Sequence, residues 1–144
     1  MQGALTPQQI VDCMYRRDAF SQWLGIERIE IDRGRAVLRM QVREEMCNGF
    51  GIAHGGIAFS LADSALAFAA NSHGVKCMTT IASVQLFVPI RAGDVLTAIT
   101  EEVHLGRKNA TYLIRVYNQE EQQVALINGQ VYRSDKPWTL EDCK

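Results

Sequence analysis

The sequence holds little from which to build a metal centre or a disulfide framework. Cys13, Cys47, Cys77 and Cys143 lie far apart with no C-x-x-C pair, and His54, His73 and His104 add no ligand spacing. At that density the cysteines read as four free, mostly buried thiols. No apolar run reaches membrane-spanning length. The first ten residues, MQGALTPQQI, carry neither the basic stretch nor the apolar run of a signal peptide, so the expected location is the cytoplasm. Repeats, low-complexity stretches and Pro/Gly-rich linkers are absent, so nothing divides the chain. An excess of one charge is also missing: fifteen Lys and Arg face sixteen Asp and Glu, interspersed, for a net charge of -1. That balance leaves no electrostatic footprint for nucleic acid or an anionic membrane.

What remains is one domain's worth of chain. The 144 residues are 47% hydrophobic, enough for a single core. A first helix is expected from Thr6, with Pro7 at its first position and Gln9 completing a capping box. A short second helix from Asp18 carries Phe20, Trp23 and Leu24 and stops at Gly25. Strand-like segments follow at 26–31 and 36–42 around a turn at Asp32-Arg33-Gly34-Arg35, then at 78–88, 95–105, 110–117 and 124–133. In 110–117, Tyr112, Ile114 and Val116 alternate with Thr111, Leu113 and Arg115 and so share one face.

The segment 57–70, IAFSLADSALAFAA, differs from everything around it. It is too short to span a membrane and too uniformly apolar for a surface helix, which makes it a buried core helix. A mostly antiparallel six-stranded sheet wrapped around it satisfies the element order, an α+β architecture. One charge interrupts that helix. Asp63 is either satisfied by structural partners or placed for function.

The helix is entered through Asn48-Gly49-Phe50-Gly51-Ile52-Ala53-His54-Gly55-Gly56. A helix beginning near Gly55 directs its first free N–H groups, with the positive end of its dipole, toward an anion or a carbonyl oxygen becoming one. Glycine leaves those amides open to a ligand. The glycines do not have G-x-G-x-x-G spacing, and residues 43–47 are not a buried strand, so a dinucleotide-binding reading fails.

The pattern N-x-x-G-x-x-H-G-G (Asn48, Gly51, His54, Gly55, Gly56), followed by Leu61-Ala62-Asp63, resembles the hotdog-fold acyl-CoA thioesterases, in particular the PaaI-like subgroup of the phenylacetate pathway. Phe87-Val88-Pro89 with Gly93-Asp94, and Gly106-Arg107-Lys108, resemble later pieces of the same family. The resemblance covers about residues 20–133 of one hotdog domain, leaving a short tail at 134–144. It implies that the Asn48 side-chain amide and the Gly55 N–H polarise a thioester carbonyl. Asp63 would act as nucleophile or as general base, and His54 would orient the loop. Thr79 or Thr80 would position the water, with Gly56 at the substrate. It further implies Arg107 and Lys108 at the coenzyme phosphates, and Phe87, Val88 and Pro89 along the pantetheine channel. No metal or separate cofactor is implied, since coenzyme A is part of the substrate.

Elementary chemistry agrees with that division of labour. Two preorganised donors at the developing oxyanion can supply several kcal/mol. A thiol with a pKa of about 8.5 leaves as thiolate without a strong general acid. Gly55 and Asp63, eight residues apart on one helix, are separated by about 12 Å of rise and cannot grip one carbonyl from the same chain. The expected working unit is therefore a homodimer with composite sites; the resemblance further implies that two such dimers can pair into a tetramer, in more than one way. The competing functions are a noncatalytic acyl-CoA-binding sensor and a hotdog hydratase or dehydratase. The second of these would need a His-plus-acid pair that His54 and Asp63 do not form.

Overall fold

The computed structural model describes residues 3–144; Met1 and Gln2, the first two residues of the segment read for a targeting signal, lie outside the described residues. Helix α1 (Pro7–Arg16) starts at the expected capping box: Thr6 Oγ1 accepts from the Gln9 N–H at 3.1 Å, and Gln9 Oε1 accepts from the Thr6 N–H at 2.9 Å. Helix α2 (Ala19–Leu24) starts at Asp18, whose carboxylate accepts from the Ser21 N–H, and ends at a left-handed Gly25.

Strands β1 (Glu27–Asp32) and β2 (Arg35–Gln41) form the first hairpin, and α3 (Gly55–Asn71) is the long buried helix. Strands β3 (Val75–Leu86), β4 (Val95–Leu105), β5 (Asn109–Tyr117) and β6 (Gln123–Pro137) complete the chain. The sheet order is β1-β2-β4-β5-β6-β3, with every neighbouring pair antiparallel. Helix α3 touches all six strands. This is the hotdog fold.

The core follows from side-chain size. Ala58, Ala62, Ala65 and Ala69 let α3 lie close to the sheet, and Leu61, Leu66 and Phe68 fill the gaps. At Gly129 of β6 the approach needs glycine, with Leu66 Cδ2 only 2.6 Å from where a Cβ would stand. Tyr112, Ile114 and Val116 are fully buried on the helix side of β5, as their alternation predicts.

Two expectations change at the C-terminus. Strand β6 runs on to Pro137, so residues 134–137, expected in the tail, belong to the sheet. The four cysteines are not all free: Cys13 of α1 is bonded to Cys143, leaving Cys47 and Cys77 as half-buried thiols. The pairing joins sites 130 residues apart, which spacing alone does not reveal. A 3₁₀ turn, Leu140–Cys143, brings Cys143 to α1. It is held by Lys76 to Asp142 at 2.8 Å and by Arg16 and Arg17 to the last two carbonyls. Trp138 Nε1 donates to Asn71 Oδ1 at 2.9 Å, pinning the tail to the end of α3. Among the described residues, no helix is long and apolar enough to cross a membrane.

Candidate active site

Asn48 sits in a tight turn after a 3₁₀ segment, Glu44–Met46. The turn closes through Asn48 N–H to Ile52 O at 2.8 Å and Gly51 N–H to Asn48 O at 3.1 Å. Gly51 adopts φ +76, a left-handed conformation that favours glycine. Asn48 Oδ1 accepts from the Phe50 N–H at 2.9 Å and the Ile52 N–H at 3.2 Å. Those two donors fix the amide's orientation and leave Nδ2, which has no acceptor among the described residues, as a free donor.

The turn delivers the chain to α3 with its register set. Ala53 N–H donates to Ile90 O at 2.7 Å and His54 N–H to Met46 O at 3.0 Å. His54 is the N-cap residue, but its exposed ring makes no capping hydrogen bond and none to Asn48. The backbone, not the imidazole, orders the Asn48 amide. Ile57 N–H turns back to His54 O at 2.9 Å, while the Gly55 and Gly56 N–H groups have no acceptor among the described residues. Two free amides thus stand at the positive end of a seventeen-residue helix.

A cleft of about 280 Å³ opens there. His54, Gly55, Phe87, Val88 and Pro89, all singled out from the sequence, line it together. Leu86 does so as well, and its Cδ1 lies 2.8 Å from the Cβ position that Gly55 leaves empty. Nothing in the sequence marked Leu86, because the contact joins β3 to the first residue of α3.

Asp63 lies outside this cleft, two turns along α3. It is half-buried and has no hydrogen-bond or ion-pair partner among the described residues. Burial, and then the neighbouring charge of Asp18, push its carboxyl above the ordinary Asp range. Asp18 and Ser21 approach α3 at this level, with Ser21 Oγ 2.7 Å from Ser64 Oγ. That contact spans 43 residues and was likewise invisible in the sequence.

The two candidate threonines separate at a bulge in β3. Thr79 pairs with Val131 of β6, a fully buried residue, and so shares the helix-facing side of the sheet. Thr80 is the bulged residue, and its hydroxyl donates to Gln130 O at 3.2 Å. Arg107 and Lys108 are exposed in the β4–β5 turn, which Arg133 anchors through Gly106 O and Lys108 O. Asn109 pairs with Tyr132 and Tyr132 with Met78, whereas the cleft lies beside Leu86. Eight residues of strand, roughly 25 Å, therefore separate the basic turn from the cleft within one chain.

A sheet rolled around one long helix defines a hotdog-type domain, and its candidate site offers free amides at the helix start and a partnerless carboxylate further along it. Residues 50–125 match the thioesterase superfamily. The chain is 40% identical to the acyl-coenzyme A thioesterase PaaI of Escherichia coli K12, over 87% of this chain and 89% of that protein. It superposes on the E. coli PaaI structure with a TM-score of 0.89 at 38% identity, covering 92% of this chain and 96% of that one. A hypothetical thioesterase from Streptococcus pneumoniae TIGR4, solved with coenzyme A, matches at a TM-score of 0.80 and 27% identity, over 88% and 98% of the two chains. The protein belongs to the thioesterase superfamily and is a thioesterase of the PaaI-like kind.

Proposed function

We propose that the protein hydrolyses acyl-CoA thioesters carrying aryl or short- to medium-chain acyl groups, and that each active site is built by two copies of the chain. The observation that carries this reading is the spacing on α3. The free Gly55 amide and the partnerless Asp63 carboxylate stand about 12 Å apart on one rigid helix. A two-fold axis between antiparallel copies of α3 brings Gly55 of one copy to Asp63 of the other, twice.

The sheet edges support the pairing. Strand β3 is an open edge of twelve residues on which Met78, Ile81, Val84 and Leu86 are exposed. Such an edge is a template for another strand. The opposite edge, β1, is six residues long and carries Glu27, Arg28, Glu30 and Asp32, charges that discourage strand addition.

In the composite site, the Asn48 Nδ2 and the Gly55 N–H hold the thioester oxygen. Asp63 of the other copy takes a proton from water, with Thr79 positioning that water. The water oxygen bonds to the carbonyl carbon, the C–S bond of the tetrahedral intermediate breaks, and the thiolate takes up a proton. The products are a free carboxylic acid and coenzyme A. Gly56 lies beside the bound thioester, and Phe87, Val88 and Pro89 flank the pantetheine arm. Arg107 and Lys108, remote from the cleft of their own chain, meet the coenzyme phosphates by charge-assisted contacts at a site reached across the interface.

The test is thiol release from an acyl-CoA panel, followed by mixing two inactive variants. Asp63→Asn and Asn48→Ala homodimers should each be inactive, while verified heterodimers should regain activity through one intact site. Heterodimers as inactive as their parents sink the composite arrangement. Tight acyl-CoA binding by wild type without thiol release makes the protein a sensor instead.

A further inference from the structure

Helix α2 is only six residues long, yet it is tied to α3 by a buried polar chain. Asp18 Oδ1 accepts from the Ser21 N–H at 2.9 Å and Oδ2 accepts from the Ser21 hydroxyl at 2.5 Å. Because the Ser21 proton is committed to Asp18, the Ser64 hydroxyl donates to Ser21 Oγ across the 2.7 Å contact. Both serines are buried, Ser21 at 1% and Ser64 at 8% exposure. The chain Ser64–Ser21–Asp18 therefore runs outward from the residue next to Asp63. The carboxylate at the outer end caps α2, a task that a neutral asparagine performs equally well, so the cap alone does not call for a charge there.

We propose that Asp18 is a positioning residue for the thioesterase reaction: held to α3 through Ser21 and Ser64, it keeps a fixed negative charge beside Asp63 and tunes proton transfer to that group. The proposal rests on the reading of Asp63 as the catalytic base. A base placed against a like charge holds its proton more firmly once it has taken it, which helps a group that must deprotonate water. The 2.5 Å and 2.7 Å contacts of the chain hold the Asp18 carboxylate close to Ser64, the neighbour of Asp63, and burial first, then the Asp18 charge, push the Asp63 carboxyl up. Within one chain, these other charged and titratable groups packed near α3 are engaged with partners of their own. His73 and Tyr112 pair with Glu102 near the end of the helix, Arg133 reaches Gly106, and Arg43 pairs with Glu45 while stacking over Trp23.

The experiment compares Asp18→Asn, Asp18→Glu and Asp63→Asn in the full-length protein. Asparagine is as good a helix N-cap as aspartate, so Asp18→Asn keeps α2 while removing the charge. The first readout is the pH profile of kcat/KM for acyl-CoA hydrolysis. The second is the titration of the Asp63 carboxyl itself, followed by carbon-13 NMR, which does not depend on turnover. Asp18→Asn should move both the acid limb and the titration to lower pH. Asp18→Glu should return them toward wild type.

If Asp63→Asn abolishes hydrolysis but Asp18→Asn moves neither readout, the role of Asp18 is overturned and the reading of Asp63 stands. If Asp63→Asn stays active, the reading of Asp63 fails and Asp18 loses its positioning role with it, even where the titration moves. An Asp18→Asn variant that loses activity at all pH values alike, with Asp63 titrating as in wild type, reduces Asp18 to a fold element and also overturns the proposal.

Discussion

Leu86 Cδ1 stands 2.8 Å from the point where a Cβ on Gly55 would be built. The side chain at the end of β3 occupies the room that glycine frees at the start of α3. Gly55→Ala must push Leu86 aside and crowd the amide proposed to hold the thioester oxygen. The expected loss is on the order of 10²-fold in kcat, as for removal of one oxyanion donor. Gly56→Ala meets open space, so its melting temperature should match or slightly exceed that of wild type. Thermal melts on the two variants separate crowding against Leu86 from a general intolerance of alanine at the helix start, and steady-state kinetics on Gly55→Ala read the loss in kcat.

Asn48 offers a substitution that keeps the turn and removes the chemistry. In Asn48→Asp the carboxylate would still accept from the Phe50 and Ile52 N–H groups, the contacts that Oδ1 makes now. It would lack the free N–H donor and would place a negative charge at the proposed oxyanion position. Asn48→Asp should therefore fold as wild type, by circular dichroism and melting, while kcat falls by about 10²-fold or more.

Asp63 should exchange stability for activity. Its carboxyl is raised by burial and by Asp18, so the ionised form is disfavoured more in the folded chain than in the unfolded one. The stabilising effect of that raised group is complete below the unfolded-state pKa and is lost as pH rises through the folded-state value. At neutral pH the ionised Asp63 is a liability to the fold. Asp63→Asn should melt higher than wild type at pH 7, and the gap should close in acid. A variant that melts lower at pH 7 would contradict this.

The Cys13–Cys143 bond gives a thiol count that changes with redox state. Oxidised, denatured protein should show only Cys47 and Cys77 to a thiol reagent, and reduced protein all four. Closing a loop of 130 residues is worth roughly 4–5 kcal/mol in the chain-entropy view. Reduction should lower the melting temperature while the helix-and-sheet spectrum persists, since Lys76 and Thr139 still hold Asp142, whose carboxyl is pulled down to about 2. Four thiols in unreduced protein would show that the bond does not form.

Local chemistry carried much of this architecture into view from the sequence. The Thr6–Gln9 box, the Asp18 cap and the alternation of Tyr112, Ile114 and Val116 are short-range signals, and each stands where it was expected. The loop from Asn48 to Gly56 was legible because its glycines and its asparagine do their work within a few residues. What depends on distant partners was not. Strand β3 follows α3 in the chain but, among the described residues, pairs only with β6, so its position at the sheet edge depends on the last strand to be made. The bulge that turns Thr79 inward and ties Thr80 to Gln130 is a property of that pairing. Leu86 at Gly55, Ser21 at Ser64 and Cys13 at Cys143 are likewise meetings that no window of sequence contains.

The unequal edges of the sheet set a limit on growth. If β3 joins β3 of a second copy, each chain spends its one adhesive margin on the other. Both outer margins of the joined sheet are then β1, short and charged. A third chain finds nothing to extend, so association along the sheet closes at a pair and cannot run on into a fibre.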